Sequence, residues 1–304
     1  MEFANHFNVQ NKVNTAVRQA VPGDGAQIMW LLQTASRQHW HVDWHLPGDW
    51  LGTPGFVVQT RPSAGRDGEE ITACLAAAPD PLPAAWVRVA ALREGEAVTA
   101  VLPALLERVL PWLHQEGVTE LGWLAIESWP NPWLPDLGFR LANEIEVYVK
   151  EDTAVPPLPP VPGLRIRPAV DSDLEQLAAL ETKAFVPLWR HSARALQLAR
   201  PQAFSFDVAE IAGELAGFQL STRSRRGVHL ARMTVDPAWQ GQGIGSTLLA
   251  HALRGYHRRG LYRVTLNTQI DNVASQRLYQ KFGFAASGER IPMWVLDLPN
   301  RGRS

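Results

Sequence analysis

The sequence predicts an α/β protein made of two copies of one mixed-sheet unit, and three observations lead there. The chain has 304 residues, a length that suits two domains of about 150 residues better than one. Strand-like runs alternate with amphipathic helix patterns around a glycine-rich turn, the order of a mixed α/β sheet. Segments of the first half also recur in the second at a nearly constant offset.

The recurrence is readable phrase by phrase. "VRQAVPGDGAQI" from Val17 echoes "IRPAVDSDLEQL" from Ile166, each a short strand, a turn bearing an acid and a helix. "LPALLERVLPWLHQEGVTELGWLAIE" parallels "STLLAHALRGYHRRGLYRVTLNTQI", each a helix stopped by glycine (Gly117, Gly260) and followed by a strand. "LPDLGFRLANEIEVYVK" and "YQKFGFAASGERIPMWVL" close the two halves. The offsets are 149 for the opening pair, 143 for Gly117 and Gly260, and 145 for the Gly-Phe pairs. "EDTAVPPLPPVPG", residues 151–163, reads as a semi-rigid connector because its prolines favour extended backbone. The expected organisation is a first domain over 1–152, a proline-rich linker over 153–163 and a second domain over 164–304.

In the second half a strand near 164–168 leads to a helix from about Ser172 to Phe185, followed by a partly helical stretch. "FSFDVAEIAGELAGFQLSTR" reads as a hairpin turned at Gly213-Glu214, and "VHLARMTV" as the next strand. A glycine loop and a helix through Arg259 follow, with Leu248, Leu249, Ala252, Leu253 and Tyr256 on one stripe. "LYRVTLNT" is a strand, "NVASQRLYQKF" a short helix stopped by Gly283, and "IPMWVLDL" the last strand.

Composition narrows the function classes. Apolar residues at 46% against 19% charged indicate a globular chain, and a net charge of -1 gives no broad pull toward nucleic acid or anionic membrane. The basic run "STRSRRG" at 221–227 reads as a solvated loop. Cys74 is the single cysteine, so no internal disulfide forms, and within "ITACLAAA" it reads as a buried thiol. "MEFANHFNVQNK" lacks the basic and apolar segments of a signal peptide, and no apolar run reaches about 18 residues. The expectation is a cytoplasmic protein, monomer or homodimer, without nucleic-acid or membrane partners.

"WQGQGIGSTLLAHAL", residues 239–253, sets three glycines before a helix. The first turn of a helix leaves N–H groups without partners at the positive end of its dipole, and glycines let an anion reach them. A tight turn that holds nothing is the plainer alternative. The spacing excludes a dinucleotide fingerprint, since Ser246 stands where G-x-G-x-x-G needs its third glycine, and a Walker loop, since no lysine is present. What remains is Q-x-x-G-x-G (Gln240, Gly243, Gly245) directly after "MTVDP". This resembles the acetyl-CoA pyrophosphate loop of the GNAT-fold N-acetyltransferases. "NVASQRLYQKFGF" is similar to that family's Asn-x-x-Ala-x-x-x-Tyr-x-x-x-Gly-Phe segment, and the resemblance covers residues 164–296. It implies two tandem GNAT-like domains, each a mixed, mostly antiparallel sheet flanked by helices.

The resemblance also implies a chemistry. Backbone groups of Met233 and Val235 would hold the pantetheine arm of acetyl-CoA. The loop Gln240, Gly241, Gln242, Gly243, Ile244 and Gly245, with the amide of Ser246, would take the pyrophosphate. Asn272, Ser275 and Tyr279 would look onto the cofactor's sulfur, with Tyr279 as the general acid that protonates the leaving thiolate; a phenol is protonated at neutral pH. Tyr279 as a packed core residue is the alternative. The acceptor, a small-molecule or peptide primary amine, would attack directly and needs a base. His229 is the candidate, against a histidine that only packs. A catalytically silent acyl-CoA-binding sensor or scaffold is the rival from another class.

The first half lacks these features. At the offset of 143 the loop falls on "AVTAVL", residues 97–102, where no glycine survives, with Glu94 and Glu96 just upstream. The Tyr279 position falls on Leu134 among prolines. A degenerate first domain without a cofactor loop is expected. In "HWHVDWH", His39, His41, Asp43 and His45 alternate and would share one face if extended. Zinc binding, an ordinary aromatic surface and an acceptor-binding wall are the readings open there, and no metal is assigned.

Overall fold

The computed structural model describes residues 15–63 and 68–298. The amino-terminal stretch read for a targeting segment, 1–12, lies outside the described residues. The first half runs β1 (Ala16–Gln19), α1 (Gly25–Thr34), β2 (Arg37–Trp40), β3 (Phe56–Pro62), β4 (Glu69–Pro79), β5 (Ala84–Leu92), α2 (Val98–Gln115), β6 (Glu120–Leu124) and β7 (Arg140–Lys150). The second runs β8 (Leu164–Pro168), α3 (Leu174–Ala184), α4 (Ala193–Ala199), β9 (Ala203–Ile211), β10 (Glu214–Ser224), β11 (Gly227–Val235), α5 (Ile244–Arg258), β12 (Val264–Gln269), α6 (Val273–Lys281) and β13 (Ala285–Asp297). The hairpin turns at Ala212-Gly213, one residue earlier than the sequence indicates, because Glu214 already pairs with Ile211. Leu261–Arg263 stay outside β12, and β13 begins six residues before "IPMWVLDL".

The repeat is visible in atomic detail at the two helix entrances. Arg18 donates to Asp24 at 2.7 and 3.0 Å, and Arg167 to Asp173 at 2.7 and 2.9 Å. The same carboxylates accept from the Val21 and Val170 N–H, each at 2.8 Å. These bidentate pairs hold both carboxyls below the usual carboxylate range. One helix of each half buries a stripe against the sheet. In α2 it is Val101, Leu102, Leu105, Val109 and Leu113; in α5 it is Leu248, Leu249, Ala252, Leu253 and Tyr256. The spacing of three and four is what turns these residues to one face.

Thirteen strands form a single sheet in the order β1-β3-β4-β5-β6-β13-β7-β12-β11-β10-β9-β8, with β2 paired to β5 off this path. Among the described residues β5–β6 and β11–β12 are the parallel pairs. The other pairings are antiparallel, so the sheet is mixed and mostly antiparallel. The halves exchange their last strands. β13 lies on β6 from Met293↔Leu124 to Asp297↔Glu120, and β7 lies on β12 from Val264↔Lys150 to Gln269↔Ile145. β7 and β13 then pair with each other at the centre.

Separation of the halves tests this exchange. Residues 1–152 alone leave β6 without its partner, and residues 153–304 leave β12 without its own. Each edge exposes unpaired backbone donors and acceptors. Each half expressed alone is expected to aggregate or self-associate, whereas the two co-expressed are expected to co-purify in equal amounts. Two independently monomeric, folded halves would show that the exchanged pairs are dispensable.

Candidate functional site

β11 and β12 share three residue pairs, Val228↔Val264, His229↔Thr265 and Leu230↔Leu266. Beyond Leu230 they part: β11 continues along β10 to Val235, and β12 continues along β7 to Gln269. The Asp236 N–H donates to the Ala216 carbonyl at 3.0 Å. Backbone groups alternate in direction along an antiparallel strand, so those of Met233 and Val235 turn away from β10 and into the gap.

The glycine loop follows β11 directly, between Val235 and the start of α5 at Ile244. Asp236 caps its start by accepting from the Ala238 N–H at 2.9 Å. Gly241 and Gly243 have φ of 78° and 87°, the left-handed region in which a β-carbon is strained. Gly243 is the N-cap of α5, and Thr247 is the first residue whose N–H bonds within the turn, to the Gly243 carbonyl at 2.9 Å. The N–H groups of residues 241–246 donate to no group among the described residues. Free donors of this kind at a helix entrance have the geometry that suits an anion. Gly245 differs from its neighbours. A β-carbon there would sit 3.5 Å from Val235 and 3.6 Å from Leu278, ordinary contact, so protein packing does not require glycine. Ile244 is buried in the core, and the side-chain amides of Gln240 and Gln242 donate to the Val235 and Ala238 carbonyls at 3.1 and 3.3 Å. Both glutamines are turned onto the loop's own backbone, and Ser246 is half-buried in the first turn of α5.

A cavity of about 520 Å³ opens at the parting of the strands, and Met233, Asn272, Ser275 and Tyr279 all line it. Asn272 stands just before α6 as its N-cap, its side chain accepting from the Ser275 N–H at 3.1 Å. Tyr279 is 6% exposed and packs against Tyr148 and Phe284. Burial pushes its pKa up to about 12, against a lowering by the Ser275 hydroxyl. His229 lines the same cavity, but its Nδ1 is 2.9 Å from the Thr265 hydroxyl in the closed part of the strand pair, and burial pushes its pKa down.

Glu181, Arg232 and His191 went unread in the sequence, although one signal was there. Glu181 falls on the apolar stripe Leu174, Leu177, Leu180 of α3, where a carboxylate is out of place unless paired. It is fully buried and accepts from Arg232 Nε at 3.0 Å, from Arg232 Nη2, and from Thr234 Oγ1 at 2.5 Å. His191 lies beside it and lines the cavity.

The first half reaches the same cavity. Residues 41–44 and Trp86 form part of its wall, facing Leu188, Trp189 and His191. The imidazoles of "HWHVDWH" do not share one face, because the strand ends at Trp40 and Asp43 adopts φ 48°. His39 is buried with Nε2 3.2 Å from the Val87 carbonyl, His41 meets the Trp86 ring edge-on, and His45 approaches Asp80 at 3.6 Å. Asp43 accepts from Arg88 at 2.6 Å and lies 3.5 Å from His41 Nε2.

In the first half, β5 and β6 also share three pairs, Ala84↔Glu120 to Trp86↔Gly122. Beyond them β5 is not left open. β2 pairs with it antiparallel, from Arg37↔Leu92 to Trp40↔Val89, and the Trp129 indole donates to the Gln38 carbonyl at 2.7 Å. At the opening offset of 149 the equivalent of β2 is 186–189, which forms a 3₁₀ turn over Pro187–Trp189 and does not join the sheet. Residues 97–102, the counterpart of the glycine loop at the offset of 143, are the entrance and first turns of α2.

Residues 174–284 match the acetyltransferase (GNAT) family. The mycothiol acetyltransferase of Catenulispora acidiphila is 30% identical over 165 residues, 48% of this chain and 52% of that protein. The chain thus spans about half the length of the curated relative it matches. A GCN5-related N-acetyltransferase from Sphaerobacter thermophilus superposes with a TM-score of 0.59 at 18% identity, over 93% of this chain and 95% of that one. A tandem GNAT protein from the clavulanic acid biosynthesis pathway gives 0.58 at 17%, over 93% and 98%. The last two likenesses are likenesses of fold.

The loop geometry yields a stability test. Gly243→Ala places a side chain in the left-handed region, at a cost of about 1–2 kcal/mol, and is expected to lower the melting temperature. Gly245→Ala replaces a helical glycine, and alanine there is worth roughly 0.5–1 kcal/mol. Its melting temperature is expected to hold or rise. Equal losses for both would show that Gly245 serves packing.

Proposed function

We propose, from the membership of residues 174–284 in the acetyltransferase (GNAT) family, that the protein transfers an acetyl group from acetyl-CoA to a primary amine of a small molecule or peptide. One observation carries the reading: the gap beside Met233 opens onto the cavity that Tyr279 lines, and the free N–H groups of 241–246 follow directly on β11, with Gly245 next to Val235 and Leu278. Gly245 fits it, since a glycine that packing does not need leaves room for a ligand at the helix entrance.

Bound acetyl-CoA supplies an activated thioester; the chain's residues bind, orient and move protons. The 241–246 amides hold the pyrophosphate, and the backbone of Met233 and Val235 takes the pantetheine arm as a substitute strand in the gap. Tyr279 donates its phenolic proton to the departing sulfur. Its raised pKa keeps that proton in place through the neutral range, so Tyr279 imposes no alkaline loss of activity below about pH 10. Asn272 acts through the cap that orients α6 and hence Tyr279.

The first half holds no cofactor in this reading. β2 fills the gap that a pantetheine arm would need, and residues 97–102 lack the glycines of an anion cradle. Its part is to close the cavity over the acceptor, through the wall formed by residues 41–44 and Trp86.

Calorimetry with acetyl-CoA is expected to give one site per chain, and Gly245→Ala to weaken it. Tyr279→Phe is expected to lower kcat by about 10²-fold, the scale of one general acid, with acetyl-CoA affinity retained. The measurement is CoA release over a panel of amino acids, polyamines, aminoglycosides and peptides. Two cofactor sites per chain would overturn the assignment to the second half. Binding without release on any amine would overturn catalysis in favour of an acyl-CoA-binding sensor.

A further inference from the structure

An amine that attacks a thioester must shed a proton, and neither Tyr279 nor the 241–246 amides can receive it. We propose that His191 accepts it at Nε2 and that Glu181 is the positioning residue that aims the ring; the inference rests on the acetyltransferase reading. The attacking nitrogen forms the C–N bond as the C–S bond breaks. Its proton passes to His191, while the Tyr279 proton passes to sulfur, so amine and thioester give amide and thiol. Exchange with solvent returns both side chains to their starting states.

Three features of the geometry support this. Glu181 Oε2 lies 3.4 Å from His191 Nδ1 and 3.2 Å from the His191 backbone N–H, which donates to it. Burial would raise the pKa of Glu181, but Arg232 and His191 beside it hold it down to about 2. It is therefore a carboxylate throughout the neutral range. A carboxylate only accepts, so the neutral imidazole carries its proton on Nδ1 and leaves Nε2 as a bare base. Nε2 bonds to no group among the described residues, and the ring lines the cavity shared with Tyr279. Trp44, from the other half, packs on the ring at 4.8 Å between centroids.

The groups facing His191 are known from each element around it. Glu181 comes from α3 and Arg232 from β11; Asp43, His41 and Trp44 come from the segment after β2, with Arg88 of β5 paired to Asp43. Arg232 and Arg88 each have a carboxylate partner, which limits their effect on the imidazole. His229 has a hydroxyl partner and no carboxylate, so its tautomer is not fixed in this way.

The test uses the full chain and the amine from the panel that gives the fastest CoA release. His191→Gln is expected to lose about 10²-fold in kcat, with KM for acetyl-CoA unchanged. Nitrogen-15 NMR of the imidazoles, which needs no acceptor, is expected to show His191 as the Nδ1–H tautomer. Glu181→Asp, a shorter carboxylate, should mix the tautomers, and Thr234→Val, which removes one ligand of Glu181, should do so partially if Glu181→Asp fails to fold. A His191→Gln enzyme with the wild-type rate would overturn the base, as would an Nε2–H tautomer in the wild type. Failure of the wild type to release CoA with every amine would instead sink the acetyltransferase reading itself, and the base with it.

Discussion

Each half of this protein rests on one short parallel contact. In both, two strands run together for three residue pairs and then part. Parted strands leave backbone donors and acceptors facing a gap, and buried groups of that kind must find partners. The halves solve the same problem differently. The first supplies β2, a strand of its own chain. In the second the equivalent segment curls into a 3₁₀ turn, and the edge of β11 stays open beside the glycine loop. A local choice between strand and turn over four residues thus separates a closed repeat from one whose strand edge stays open.

The same choice carries the closed half onto the cavity of the other. Having filled its gap, the chain leaves β2 at Trp40 and turns at Asp43 into the cavity of the other half. Trp86 completes the contact, its indole donating to the Leu188 carbonyl at 2.8 Å and its ring meeting Trp189. The exchanged strands β7 and β13 hold the two halves in register, because each is an inner strand of the common sheet. Neither half presents a complete sheet without the other.

Much of this was legible in the sequence, and the failures are instructive. The glycine spacing and the phrase around Tyr279 were readable because each encodes a local constraint: positive φ at Gly241 and Gly243, and one helix face for Ser275 and Tyr279. The offset near 149 was readable because Arg18–Asp24 and Arg167–Asp173 build the same turn. Strand exchange was not, since "LPDLGFRLANEIEVYVK" and "YQKFGFAASGERIPMWVL" specify a strand after Gly-Phe and say nothing of which neighbour receives it. Alternation in "HWHVDWH" misled for the opposite reason. A period of two implies one face only while the backbone stays extended, and Asp43 ends that.

Glu181 shows what kind of residue lies between these cases. A buried carboxylate bound by Arg232, Thr234 and His191 is poor evidence of stability, because desolvating two charges offsets most of their attraction. Apolar residues of similar size at Glu181 and Arg232 would serve the core of α3 and β11 at least as well. Such residues could not fix the tautomer of an imidazole, or hold a turn through the Trp189 carbonyl that Arg232 also binds. The ion pair joins α3, β11 and the 187–191 turn at the point where the strands part. An arrangement costly for folding and placed at the mouth of the open gap is best understood by what it orients.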